Sequence, residues 1–455
     1  MTTGSIRSRM LDIAHEDCRY LPDKIETYEK EDPHNPDPGL LRLRTRGAFL
    51  FNWWVGAKPG DVCTKSVPTI KYNAPHRYHW SNQVYQTIPM YLGTTHVAVG
   101  FVDLGTLLCA DIRGVEGEGE GAGPLSYVGY EMVAHNVAKS LILWHMMQGE
   151  GDIRDVGDMV LQVWFSSSWE PRTEAAFRAA AVAALSALSP DTKGWLDIVA
   201  VLRHWIEPAN AAPPLARCRE LWQAQHELCL CHCLKRPCDR RAVAAYELAG
   251  DFAVPPTPAG TECDLVGSMV LYCSPDGTPP GVKDEKVFSC APFDEVCREC
   301  RQAEEAEGAE VSVVTGVERW LRGKVHNLIP RARDGSVTVS LHLGDITDKA
   351  VVKSVAAMAP RTMSWSNVLD YIPAKAFHTL AKQCGGKTCT HNGLLDIHHT
   401  PMRLKVLTLY RQFQVKVAQE TGVLPYLRLP IPEMPVNGAS YFLQHMLFHR
   451  DVILM

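Results

Sequence analysis

No stretch of the chain reaches the roughly 18 uncharged apolar residues that a membrane-spanning helix needs. The longest candidates are broken by Asp103 and by Arg178. Charge of one sign is missing too, because 46 Lys and Arg stand against 51 Asp and Glu, a formal net charge of -5. That balance removes any global drive onto nucleic acid or an anionic membrane. The opening residues, MTTGSIRSRMLDIAHEDC, hold no apolar core of signal-peptide length, and their acidic residues fit a transit peptide poorly. Several catalytic signatures are also lacking. GAKPGD at 56–61 has no GK[ST] ending for a phosphate loop, the serines at 166–168 lack the GxSxG elbow, and no HExxH occurs.

What remains is an ordinary globular composition over 455 residues, 46% hydrophobic and 21% charged, enough for two or three domains. Fifteen cysteines are the one anomaly. An odd number of thiols argues against a disulfide framework and for a reducing, cytoplasmic setting. Residues 1–40 are polar and Pro-rich around DPHNPDPG and read as an N-terminal extension. Beyond them, 41–54, 96–110, 124–130, 159–165, 310–315, 336–343 and 361–365 read as strands. Helical patterns fall at 131–147, 173–188, 215–236, 316–329, 347–358 and 373–384, while 195–206 fits either state. Strands separated by helices of this length predict a Rossmann-like α/β fold with a mostly parallel sheet. Its first part would span 41–206 and its second part, with C-terminal helices, 309–455. A helical Cys-rich insertion with linkers, 207–308, would separate them.

In an open parallel sheet, ligands sit beyond the carboxyl ends of the strands, so polar residues there carry most weight. Asp103 and Gly105 end the first strand, and Glu131 follows 28 residues after Asp103 at the end of the next. Asp345 ends SVTVSLHL, and Ser366, Asn367 and Asp370 follow RTMSW. A carboxylate at such a place accepts two hydroxyl hydrogen bonds. Each also has a structural reading. VDLGT suits a turn, Glu131 suits a helix N-terminus, and Asp345, Ser366 and Asn367 suit helix caps.

These four strand ends carry a resemblance. FVDLGT (101–106) resembles the first half of the glycine-rich loop of class I S-adenosylmethionine methyltransferases, and YVGYE (127–131) their second strand with its ribose-binding acid. LGDITD (343–348) resembles the strand whose Asp faces adenine, and MSWSNVLDYI (363–372) the strand end beside the transferred methyl. The family's further glycines are replaced by Thr106, Leu107 and Leu108. Those leucines should fill the cofactor space or turn the chain differently. GYEMVAHNVAKSLILWHMM and DMVLQVWFSSSWEPRTEAAFRAA are similar to an uncharacterised methyltransferase-like domain. That domain occurs in a cytoplasmic axonemal dynein assembly factor and in fungal MYND-finger proteins. The resemblance implies a degenerate, cytoplasmic, protein-handling version of the fold.

Cys229, Cys231, Cys233 and Cys238, with His226 and His232, form a candidate zinc set. On a helix His226, Cys229 and Cys233 would share one face, and Cys297 and Cys300 offer two further ligands. Cys-x-Cys-His-Cys is not a standard finger spacing, and free cysteine is often simply buried, so buried thiols are the favoured reading. Cys384, Cys389, His391, His398 and His399 read as a solvated loop set. Arg319, Arg322, Lys324, Arg331 and Arg333 read as a solvated helix face. The expectation is a non-catalytic scaffold or protein-assembly factor with protein partners, no nucleic acid and no resident cofactor. The alternatives are an S-adenosylmethionine-dependent methyltransferase and a zinc-stabilised interaction module.

Overall fold

The computed structural model describes residues 81, 85, 87–114, 123–190, 192, 194–207, 214–227, 236–254, 265–272, 285–286, 290–366, 374–385 and 389–393. The extension at 1–40, the strand expected at 41–54, and Cys229, Cys231, Cys233, Asn367, Asp370, His398 and His399 lie outside the described residues.

Five strands build the central sheet: β1 (Thr95–Val99), β2 (Leu125–Glu131), β3 (Val337–Leu343), β4 (Thr362–Trp365) and β5 (Thr390–Gly393). Every pairing is parallel, and the spatial order is β5-β4-β1-β2-β3. The order reverses between β1 and β4, which makes their carboxyl ends the switch point of an open α/β sheet. Ser366 N–H donates to Val99 O at 3.1 Å and ties these two strand ends together. The architecture is α/β and compatible with a Rossmann-like fold.

Alternation along the strands divides the core in two. Val97, Val99, Val128, Tyr130, Met363 and Trp365 point to one face. They meet Val351 and Val355 of α9 (Lys349–Ala357) and Phe377 of α10 (Ala374–Gly385). Ala98, Leu125, Tyr127, Val337 and Leu341 point to the other face, under α1 (Ala134–Gln148). With helices on both faces, α1 has buried residues nearly all round, as a helix between layers should.

Between β2 and β3 the chain makes α1, then α2 (Ile153–Phe165), α3 (Pro171–Ala187), α4 (Trp195–Ile206), α5 (Leu215–Gln225), α6 (Pro237–Ala249), α7 (Phe293–Glu307) and α8 (Val313–Arg333). Residues from all of them join one core cluster with the sheet, including the fully buried Trp164, Trp205 and Trp222. Buried polar hubs fix the helices. Gln162 donates to Ala253 O at 3.0 Å and accepts from Thr173 Oγ1 at 2.8 Å. Asp239 accepts from Arg236 and from Val313 N–H at 2.8 Å, joining α6 to α8.

Several expectations need correction. MVLQVWF is the C-terminal half of α2, not a strand. Asp152 caps that helix by accepting from Arg154 N–H, and Val156, Val160, Leu161 and Trp164 bury at helical spacing. EVSVVT is not a strand either, because Ser312 accepts from Thr315 N–H and starts α8 at Val313. The segment 96–110 is strand only to Val99, then turns into one helical turn at Gly105–Leu108. The helix expected over 215–236 stops at Gln225. His226 lies instead in a two-residue strand paired with Glu285, so it takes no part in the proposed helical His/Cys face. His391 belongs to β5, not to a loop. Three residues of the basic stretch on α8 are ion-paired as well as partly exposed: Arg319 meets Glu307, Arg322 meets Asp158 and Glu318, and Lys324 meets Glu295.

Candidate functional site

The loop leaving β1 is under strain. Gly100 turns it with φ 64°, and Val102 follows with φ 53°, a left-handed conformation that a β-branched residue rarely adopts. Asp103 N–H closes a tight turn onto Phe101 O across Val102. Such a residue costs about 1–3 kcal/mol and persists only where its surroundings hold it. Here the holder is Glu131 at the end of β2, whose Oε2 accepts from Val102 N–H at 3.4 Å.

That turn drives Asp103 fully inside. Its carboxylate is surrounded by donors: Gly105 N–H at 2.8 Å on Oδ1, then Ser81 N–H at 2.8 Å, Tyr85 Oη at 2.5 Å and Trp164 Nε1 at 3.4 Å on Oδ2. Burial pushes the Asp103 carboxyl up, and the buried Lys139 ammonium and these donors oppose that shift. Burial, and secondarily the Asp103 charge, pushes the Tyr85 phenol well above its usual range. The Tyr85 ring lies directly on Gly105, where a Cβ would overlap it. Tyr85 N–H donates to Cys290 O at 2.8 Å, and its ring stands 6.4 Å from that of Trp164.

Glu131 is buried as well, and desolvation raises its pKa against the hydrogen bonds it accepts. Besides Val102 it takes Val133 N–H at 3.1 Å, at the start of α1. The turn and helix-terminus readings of Asp103 and Glu131 therefore describe real contacts. Glu131 ends β2, the neighbour of β1, and Asp103 follows the end of β1 in the turn after Val99.

The remaining candidates scatter. Asp345 is exposed and accepts from Thr347 N–H at 2.8 Å in a local turn, while the cap of α9 is Asp348. Ser366 is half-buried at the end of β4. Leu107 and Leu108 turn into the main core instead of filling the space at Gly105, which Tyr85 occupies. Of the proposed zinc set, Cys238 is described, as a half-buried thiol pushed up to about 11 by desolvation and Asp239. Cys297 and Cys300 are buried, and among the described residues no group of His, Cys, Asp and Glu is placed to hold a metal.

Tyr85 and Cys290 escaped the sequence reading, and no signal in the sequence marks them. Tyr85 stands 18 residues before Asp103, in no recognisable motif. Trp164 falls in the segment 159–165 that the pattern reads as a strand. Its contact with Asp103 spans 61 residues and exists only because α2 is a helix.

No family model, no curated protein and no solved structure matches the chain.

Proposed function

We propose that the chain is a non-catalytic scaffold or protein-assembly factor built on a degenerate methyltransferase-type domain. The observation that carries this reading is the Tyr85 ring on Gly105 with its hydroxyl on Asp103. A nucleoside cofactor at a switch point needs close approach to a glycine backbone and carboxylate oxygens able to take its hydroxyls. Here the glycine is covered by a protein ring, and both carboxylates are committed to protein donors. No described helix is long and apolar enough to cross a membrane, and a cytoplasmic location is part of the proposal.

Titration calorimetry with S-adenosylmethionine tests the reading. No heat of binding is expected. Saturable binding near one per chain overturns it in favour of the methyltransferase alternative. The zinc-stabilised alternative rests mainly on Cys229, Cys231 and Cys233. Elemental analysis of the purified protein is expected to give less than about 0.2 zinc per chain, since structural zinc sites are normally filled.

A further inference from the structure

We propose that the outer edge of β3 is a self-association surface. A second copy of this chain pairs with it antiparallel, about a twofold axis at Ser340, and joins two five-stranded sheets into one. Such an edge contact holds whether or not the crevice at Gly105 is filled.

β3 is the last strand of the sheet, with β2 on one side only. Its register with β2 fixes where its backbone groups point. Leu125 N–H donates to Ser336 O at 2.9 Å at one end, and Gly344 N–H donates to Glu131 O at 2.8 Å at the other. Ser336 and Gly344 therefore face β2 and so, by alternation along the unbroken register, do Thr338, Ser340 and His342. The N–H and C=O groups of Val337, Val339, Leu341 and Leu343 point the other way, and no described residue takes them up.

Folded proteins blunt an edge of this kind with lysine, proline, a bulge or a very short strand. β3 has none of these. VTVSLHL runs seven residues without a charge or a proline, and its pairing with β2 is continuous from Val337 to Leu343. The nearest charged residues along the chain, Asp334 and Asp345, stand outside the strand and accept from Ser336 N–H and Thr347 N–H in local turns.

The strand is also complementary to itself. Pairing centred on Ser340 sets Val339 against Leu341 of the other copy, and Val337 against Leu343. All four have outward backbone groups, so each pair exchanges both hydrogen bonds. On the opposite face Thr338 meets His342 and Ser340 meets its own copy, with no like charges opposed. A slip of one residue would set apolar side chains against polar ones along the whole strand. Val339 and Leu343, only partly buried at the margin of the main core, are covered by the apolar row of the second copy. That match over the full strand selects a second copy above an unrelated strand.

Sedimentation velocity of the full chain over a concentration series is the test. The wild type is expected to form a dimer whose share rises with concentration. Ser340→Lys, at an exposed position, opposes two ammonium groups at the axis and is expected to weaken association about 100-fold. Ser340→Cys reads the register, because opposed residues of a non-hydrogen-bonded pair have Cα atoms about 4.5 Å apart, within disulfide reach. With oxidised glutathione it is expected to give a dimer cross-linked at position 340, mapped by peptide mass spectrometry. A wild type that stays monomeric at every concentration overturns the inference, and so does a dimer that Ser340→Lys leaves intact. If Ser340→Lys does not fold, the Ser340→Cys cross-link decides, and its absence overturns the inference.

Discussion

At the scale of residues, the protein buries polar groups and satisfies them with unusual partners. His96 is the clearest case after Asp103. It is fully buried on the central strand, with Thr362 Oγ1 at 2.8 Å from Nδ1 and Ser364 Oγ at 3.0 Å from Nε2, and it stacks on Tyr127. Burial lowers its pKa to about 3 from an ordinary 6.5. The unfolded chain therefore takes up the proton first, so the His96 contribution is whole above about pH 6.5 and shrinks as the pH falls toward 3. Each pH unit in that window costs about 1.4 kcal/mol. Asp103 and Glu131, raised by burial, act with the opposite sign over the same acid range. Urea unfolding of the wild type and His96→Gln from about pH 7 to 4 isolates the histidine. The wild type is expected to lose stability relative to the variant as the pH falls, and parallel curves contradict the account. The two strand-end carboxylates were legible in the sequence because Asp-x-Gly and Tyr-Glu end apolar runs. Their donors were not, since Tyr85 and Trp164 reach Asp103 only through tertiary folding.

At the scale of elements, hydrophobic patterning was a sound guide for most of the sheet and for the helices that cover it. It located β2, β3, β4, α1, α3, α9 and α10. It misled at MVLQVWF, because a short apolar run looks alike as strand or helix. The caps were the better evidence: Asp152 opens the helix that contains MVLQVWF, and Ser312, inside EVSVVT, opens α8. Gly129 shows how the sheet positions the site. A Cβ there would come within 2.6 Å of the Phe101 ring and 2.8 Å of the Leu341 side chain, so the glycine lets Phe101 settle on β2 and fold the Val102 turn inward. Gly129→Ala is expected to destabilise by about 1–3 kcal/mol in urea unfolding, as overpacking of a dense core does. A change below about 0.5 kcal/mol contradicts that packing.

At the scale of the whole molecule, the sheet order β5-β4-β1-β2-β3 creates a crevice at a place where such sheets bind ligands. The long helical segment between β2 and β3 brings Trp164 and Cys290 against that crevice, and Tyr85 closes it. The sequence placed the ends of β2, β3 and β4 closely, while β1 ends at Val99 and not at Asp103. Within the span 207–308 expected as a Cys-rich insertion, helices α5, α6 and α7 contribute Trp222, Tyr246 and Cys297 to the same core as the sheet. The central claim is that the crevice is filled by the protein's own side chains and locked onto Asp103. Hydrogen exchange of the segment Gly100–Leu108, compared with strand β2, tests it most directly. The Gly105 and Val102 amides, each donating to a buried carboxylate, are expected to exchange nearly as slowly as β2. Exchange of that segment at the rate of an open loop would contradict the account.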